Sequence, residues 1–200
     1  MAYRTYKNLQ EVAKKYQVRL DIAPFLEPMP VVVDEHFRAD LDYTQQHIDV
    51  RASEAAISEF LIAPLLKEAW KPYADYLLLW SHVALRVGDE FDGFPDYLFT
   101  KRTELGMVRD KPYLFVVEAK KDDFEGGWGQ CLHAMLAAQT INEDDSLILY
   151  GTVSSGDVWE FGKLQYKKFV RDQRSFTIAD LASVLAALNA IFYAAKRQTL

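Results

Sequence analysis

Gly93-Phe94-Pro95-Asp96-Tyr97, followed by Tyr113-Leu114-Phe115-Val116-Val117-Glu118-Ala119-Lys120, is the stretch whose reading decides the fold. The second piece reads as a hydrophobic strand that ends on a carboxylate and, two residues later, a lysine. Side chains alternate faces along a strand, so Glu118 and Lys120 project from the same side. The first piece places Asp96 directly after a proline, at the entry to another strand. Asp96 precedes Glu118 by 22 positions, the separation that a strand, a turn and a second strand require. If Asp96 reaches the same face, that face offers two hard oxygen donors for a divalent cation with an ammonium group beside them.

Each of these residues also has a plain reading. Asp96 is a turn aspartate after proline when taken alone. Lys120 is a solvated strand end, with Lys121 next to it on the opposite face. Glu118 is harder to dismiss, because a carboxylate closing Leu-Phe-Val-Val is either in water at a sheet edge or held by a cation. Burying it unpaired costs several kcal/mol, by the general penalty for isolated charges. Asp92, beside Gly93, reads as a turn residue.

Working outward, Ser53 is an N-cap for a helix running to about Trp70, with Pro64 inside it. Proline there removes a backbone bond and kinks the helix or ends its regular part. Tyr76 to Val87 reads as the first core strand, 96–100 as the second and 113–120 as the third. A helix follows over about 125–140, and 146–153 is a fourth strand. Residues 157–161 and 164–170 form a hairpin around Gly162-Lys163. Thr177 caps a last helix over 177–197, whose apolar set includes Leu181, Val184, Leu185, Leu188, Ile191 and Phe192. Near the start, Thr5 caps a short helix with Leu9, Val12, Ala13 and Tyr16 on one stripe. Three prolines make 21–30 irregular, Val31-Val32-Val33 reads as a short strand, and 34–49 is polar with a faint helical period. The order predicts an α/β fold, a central mixed β-sheet flanked by helices.

Pro95-Asp96 with Glu118-Ala119-Lys120 resembles the core signature of the PD-(D/E)XK, or restriction-endonuclease-like, nuclease superfamily. Two more features carry the resemblance. Ser53-Glu54-Ala55-Ala56, continuing as Phe60-Leu61-Ile62-Ala63-Pro64-Leu65-Leu66, resembles the helix that precedes the core in nuclease domains of the type I restriction kind. Gln130, after Gly126-Gly127-Trp128-Gly129, stands where several branches of the superfamily place a glutamine. The resemblance covers residues 53–162; residues 1–50 then form an N-terminal extension that packs on the core or makes a twofold contact in a homodimer.

The resemblance implies a metal-dependent nuclease that hydrolyses phosphodiester bonds of DNA. It implies that Asp96 and Glu118 hold Mg²⁺ or Mn²⁺ with the carbonyl of Ala119 as the third protein ligand. Lys120 then holds the attacking water or stabilises charge on the phosphate. Glu54 reaches the metal through water or contacts Lys120, although a carboxylate at a helix start also profits from the helix dipole. Gln130 orients water or phosphate, or is a polar helix-start residue. The glycines around Trp128 are a plain turn or bring amide groups to a phosphate. Trp128 itself is core or a surface on which a base stacks. Glu59 is a weaker candidate, rotated about 140° from Glu54 on a helix. The rival reading is a non-catalytic nucleic-acid-binding or assembly subunit that keeps the fold.

Composition sets the outer bounds. The chain has 200 residues, half of them hydrophobic, which suits one domain with a sizeable core. The charge of −6 runs against a nucleic-acid partner, whose backbone is bound by Lys and Arg. Lys101-Arg102, Lys120-Lys121 and Lys167-Lys168 with Arg171 and Arg174 supply local basic clusters. A lone cysteine, Cys131, excludes an internal disulfide, and His36, His47, His82 and His133 share no metal-ligand spacing. No apolar run of the ~20 residues a membrane helix needs is expected, nor a signal-peptide core in Met1–Lys7. A cytoplasmic protein with no membrane partner is the expectation.

Overall fold

The computed structural model describes residues 6–88 and 91–200. A seven-stranded mixed sheet carries the fold, flanked by helices on both faces, as the sequence predicts. Its strands are β1 (Arg19–Ile22), β2 (Leu77–Ser81), β5 (Tyr97–Lys101), β6 (Tyr113–Ala119), β7 (Leu149–Ser154), β8 (Val158–Gln165) and β9 (Lys168–Thr177). They lie in the order β1-β9-β8-β7-β6-β5-β2, with β6·β7 and β1·β9 parallel and the other pairs antiparallel. A separate two-stranded ribbon pairs β3 (Leu85–Val87) with β4 (Phe91–Gly93). The parallel β6·β7 pair needs a crossover, and helix α5 (Phe124–Asn142) provides it.

One face of the sheet is covered by α3 (Glu54–Ile57), α4 (Ala63–Trp70), the turn between them and α6 (Leu181–Arg197), which bury Leu61, Leu65, Leu66, Ile191 and Phe192 against Phe99 and Phe115. The other is covered by α1 (Leu9–Tyr16) and α5, which bury Val12, Trp128, Leu132 and Met135 against Leu98 and Val116. Each such side chain contributes about 1.5–3 kcal/mol on leaving water. Because β6 is apolar on both faces, its period-2 signal vanishes and it reads as a continuous hydrophobic run.

Between α3 and α4 the chain forms a π-helical turn, Ser58–Ile62, whose closing N–H of Ala63 reaches back to the carbonyl of Ser58. Pro64 follows at the start of α4 and has no N–H to offer Phe60. A widened turn absorbs it, so the regular α-helix ends at Ile57 and resumes after the bulge.

Several sequence expectations need correction. Residues 76–87 do not form one strand: His82 takes φ +52°, which ends β2 and sends the chain into the ribbon. Val31–Val33 is irregular, with Val32 exposed, and the polar stretch after it is a helix, α2 (Glu35–His47), capped by Asp34. Thr5 lies outside the described residues, and Asn8 caps α1 by accepting from the Glu11 N–H at 2.9 Å. Thr177 makes no side-chain cap; Asp180 caps α6 through the Ser183 N–H at 3.1 Å. Within residues 6–50, β1 is an edge strand of the main sheet and α1 is part of the core, so this segment packs on the core. The segment Ile178–Arg197 is, by length and composition, apolar enough to cross a membrane, contrary to the expectation that none is. In the fold its apolar side, with Val184, Leu188, Ile191 and Phe192, lies in the core.

The turn of the predicted hairpin also moves. Gly162 sits inside β8 opposite Arg171, where a Cβ would meet the Phe169 ring at 2.6 Å. The glycine therefore serves close packing, and the turn falls instead at Tyr166-Lys167, with φ of +46° and +55°. Two left-handed residues are what a type I′ turn requires. Lys167→Gly relieves that strain, and we expect about 0.5–1 kcal/mol of added stability, or a Tm rise of about 1–4 °C. A lowered Tm in thermal melts would place the turn elsewhere.

Candidate active site

The β5·β6 pairing builds the site. Tyr97 opposes Val117 and Leu98 opposes Val116, so continuing the register by one step sets Asp96 opposite Glu118. Directly opposed residues of an antiparallel pair point to the same face. That face is the one covered by α5, shared with Leu98 and Val116. Asp96 is brought in by the strand-entry turn that leaves the ribbon at Gly93, with Pro95 buried beside it. Its Oδ2 accepts the Ala119 N–H at 2.7 Å, which ties the start of β5 to the end of β6.

Glu118 is 5% exposed. No described residue donates a hydrogen bond to its carboxylate, and burial holds its pKa well above the usual range, with the negative charges of Asp96 and Glu54 adding to the rise and Lys120 opposing it. Asp96 is raised too, chiefly by burial, against the opposing effects of the Ala119 N–H, Lys120 and His82. Both carboxyls thus sit in a crowded, poorly hydrated place, where burial and their mutual repulsion disfavour the charged forms.

Lys120 continues β6 past its last paired residue, donating its N–H to the Ser154 carbonyl at 2.8 Å. Its Nζ lies 3.2 Å from Glu54 Oε1, so α3 delivers the carboxylate that orients the lysine. Ser53 caps that helix through the Ala56 N–H, which fixes where Glu54 starts. The Lys120 stem lies on α5 at Gly127, where a Cβ would meet Lys120 Cγ at 2.7 Å and Val153 Cγ1 at the same distance. Only glycine leaves room for the stem there, and this close approach accounts for a glycine within a helix better than a phosphate-binding loop does.

The expectation of a glycine-rich turn at 126–129 is accordingly corrected. These residues form the first turns of α5, capped by Asp123, with the amides of Gly126 and Gly127 already bonded to Asp123. Trp128 is fully buried against Phe169 and donates its indole N–H to Glu160 at 2.6 Å, so it has no face to offer a base. Gln130 lies well inside the helix rather than at its start. It lies three residues on from Gly127, about one helical turn, and its Oε1 is buried without a hydrogen-bond partner. The structure brings together Asp96, Glu118, Lys120 and Glu54, and it links Gln130 to none of them by a hydrogen bond. Glu59 is exposed on the π-turn, and its charge acts on Tyr97, the residue that follows Asp96.

Sequence reasoning passed over His82. Its Nε2 stands 3.3 Å from Asp96 Oδ1, and its backbone N–H donates to the Asp96 carbonyl at 2.9 Å. Spacing along the chain could not reveal this, because the contact depends on β2 ending where β5 begins.

Among the described residues, no three His, Cys, Asp or Glu side chains form a ready-made cation cage. The donors at hand are nonetheless hard carboxylate oxygens, one of them buried and unbonded. They suit Mg²⁺ or Mn²⁺, since Mg²⁺ commonly takes one or two protein carboxylates and keeps several waters. No protein-family model matches the chain, and no curated protein matches it either.

Proposed function

We propose that the chain is a metal-dependent nuclease of the restriction-endonuclease-like kind, acting on DNA. The observation that carries this reading is the pairing of Asp96 with a buried, unbonded Glu118 on one sheet face, with the Lys120 ammonium beside them. Asp96 and Glu118 would hold Mg²⁺ or Mn²⁺, and the Ala119 carbonyl is the further donor that the motif supplies. The bound ion would contribute Lewis-acid polarisation of a phosphoryl oxygen and a more acidic water.

The chain's own residues have separable tasks. Lys120, short of exposure and steered by Glu54, presents N–H donors toward a phosphate oxygen or an attacking water. Glu54 thereby acts as a positioning group and not as a ligand. Gln130, about one helical turn on from the glycine that seats the Lys120 stem, offers a buried acceptor suited to orienting a water. The acidic balance of the chain predicts weak non-specific affinity for DNA, with steep loss as salt rises.

The test is cleavage of supercoiled, linear, single-stranded and branched DNA with Mg²⁺ and with Mn²⁺. We expect nicking that chelator abolishes. If no substrate is cut with either ion, yet DNA is retained in a binding assay, the chain is a binding or assembly subunit and the catalytic reading falls.

A further inference from the structure

The segment between β1 and α2 packs on α6 as a strap tied down at two places. Near its start, the N–H groups of Phe25 and Leu26 donate to Asp172 Oδ2 at 2.9 and 2.8 Å, and the Leu26 carbonyl accepts from the Arg174 guanidinium. Further on, the Met29 N–H donates to the Ala186 carbonyl at 3.0 Å, and Asn189 Nδ2 donates to the Met29 carbonyl at 3.1 Å. Strap and α6 leave a cleft of about 280 Å³ between them, with Phe25 and Met29 on one wall and Ile191 and Ala194 on the other. Its size is near the lower end of the ~300–1,000 Å³ of small-molecule sites. Because the strap is fixed at both ties, the cleft is formed in advance of any ligand.

The polar side of the cleft is short of acceptors. Tyr150 of β7 and Lys163 of β8 are directly opposed, so both line it from one face of the sheet. Tyr150 is 8% exposed, no described residue hydrogen-bonds its hydroxyl, and burial alone raises its pKa. The Lys163 ammonium stands 4.9 Å from the centroid of the Phe25 ring and pairs with no carboxylate among the described residues. Glu27, the acidic residue on the lining, acts on Arg174 instead. We infer that this cleft binds a small organic acid, its ring or short chain against Phe25, Met29 and Ile191 and its carboxylate accepting from Lys163 and Tyr150. The carboxylate supplies the acceptors that both donors lack, and the charge-assisted bond from the ammonium favours the anion over a neutral analogue. Tyr150 belongs to the sheet face under α6, whereas Asp96 and Glu118 lie on the face under α5, so the inference is independent of the nuclease reading.

The experiment titrates octanoate and phenylbutyrate, each beside its neutral amide, into the full chain, followed by calorimetry and by backbone amide shifts in NMR spectra. At least one acid is expected to saturate with a Kd below about 1 mM, at least about tenfold tighter than its amide, and to move the signals of 25–29 and of α6. Lys163→Gln should remove that preference for the acid. Ala194→Leu, a good helix former at a partly exposed position, narrows the cleft and should weaken acid and amide together. Melting curves check that each variant folds. Failure of both acids to saturate by about 10 mM, equal binding of acid and amide, or a preference that survives Lys163→Gln overturns the proposal.

Discussion

Asp96→Asn, Glu118→Gln and Lys120→Ala are each expected to reduce DNA cleavage by at least about 10²–10³-fold, the scale seen when one preorganised electrostatic group is removed from an active site. They should do so for different reasons. The two acid substitutions remove a charged donor and weaken Mn²⁺ binding along with turnover. Lys120→Ala leaves both carboxylates in place, so it should bind Mn²⁺ about as well as wild type and fail in the chemistry alone. None should unfold the protein. Asn at 96 keeps an oxygen acceptor for the Ala119 N–H, and the Lys120–Glu54 pair lost in Lys120→Ala is half-exposed on the glutamate side and worth little. Calorimetric titration with Mn²⁺ beside a nicking assay separates the cases. Full activity in Lys120→Ala would make the lysine a mere strand end.

The sequence disclosed β5, β6, α5, β7 and α6 because each is long or strongly patterned, and a mixed sheet between helices follows from their order. It also disclosed Glu118 and Lys120 as neighbours, because strand alternation is a local rule. Asp96 was legible only as a candidate, since its placement depends on which register β5 adopts against β6. What was hidden has a common cause. β1 is four residues long and earns its place by pairing with β9, far along the chain, so nothing local marks it. His82 reaches Asp96 through the β2·β5 pairing in the same way.

Glycines misled for a related reason. Gly127 and Gly162 lack a Cβ because Lys120 and Phe169 pass too close, and from sequence alone a packing glycine cannot be told from a turn glycine. The true turn at Tyr166-Lys167 carries no turn signal at all, its left-handed backbone being imposed by the flanking strands. Trp128 likewise stays open between core and stacking surface until those glycines prove to be helical.

Without metal, Glu118→Gln should be more stable than wild type near neutral pH and should lose that advantage as the solution is acidified. The sign follows from the carboxyl itself. Burial and the neighbouring Asp96 charge raise its pKa in the folded state above the ordinary value of 4.5, so over the interval above 4.5 the folded chain binds more protons than the unfolded one. Wild-type stability therefore falls as pH climbs through that interval, from a level fully present below it. Glutamine does not titrate and escapes the loss, at a site where leaving a buried polar group unbonded costs of order 1–3 kcal/mol. Asp96, also raised, gives Asp96→Asn the same sign. Thermal melts of wild type and Glu118→Gln from about pH 4 to pH 8 measure the gap, which should open with rising pH and reach several degrees. Saturating Mn²⁺ should close or reverse it, because a ligand bound only by the folded wild type raises its stability and leaves the variant behind. A gap that stays flat with pH would mean that Glu118 is hydrated, and the strongest reason for placing a cation beside it would be gone.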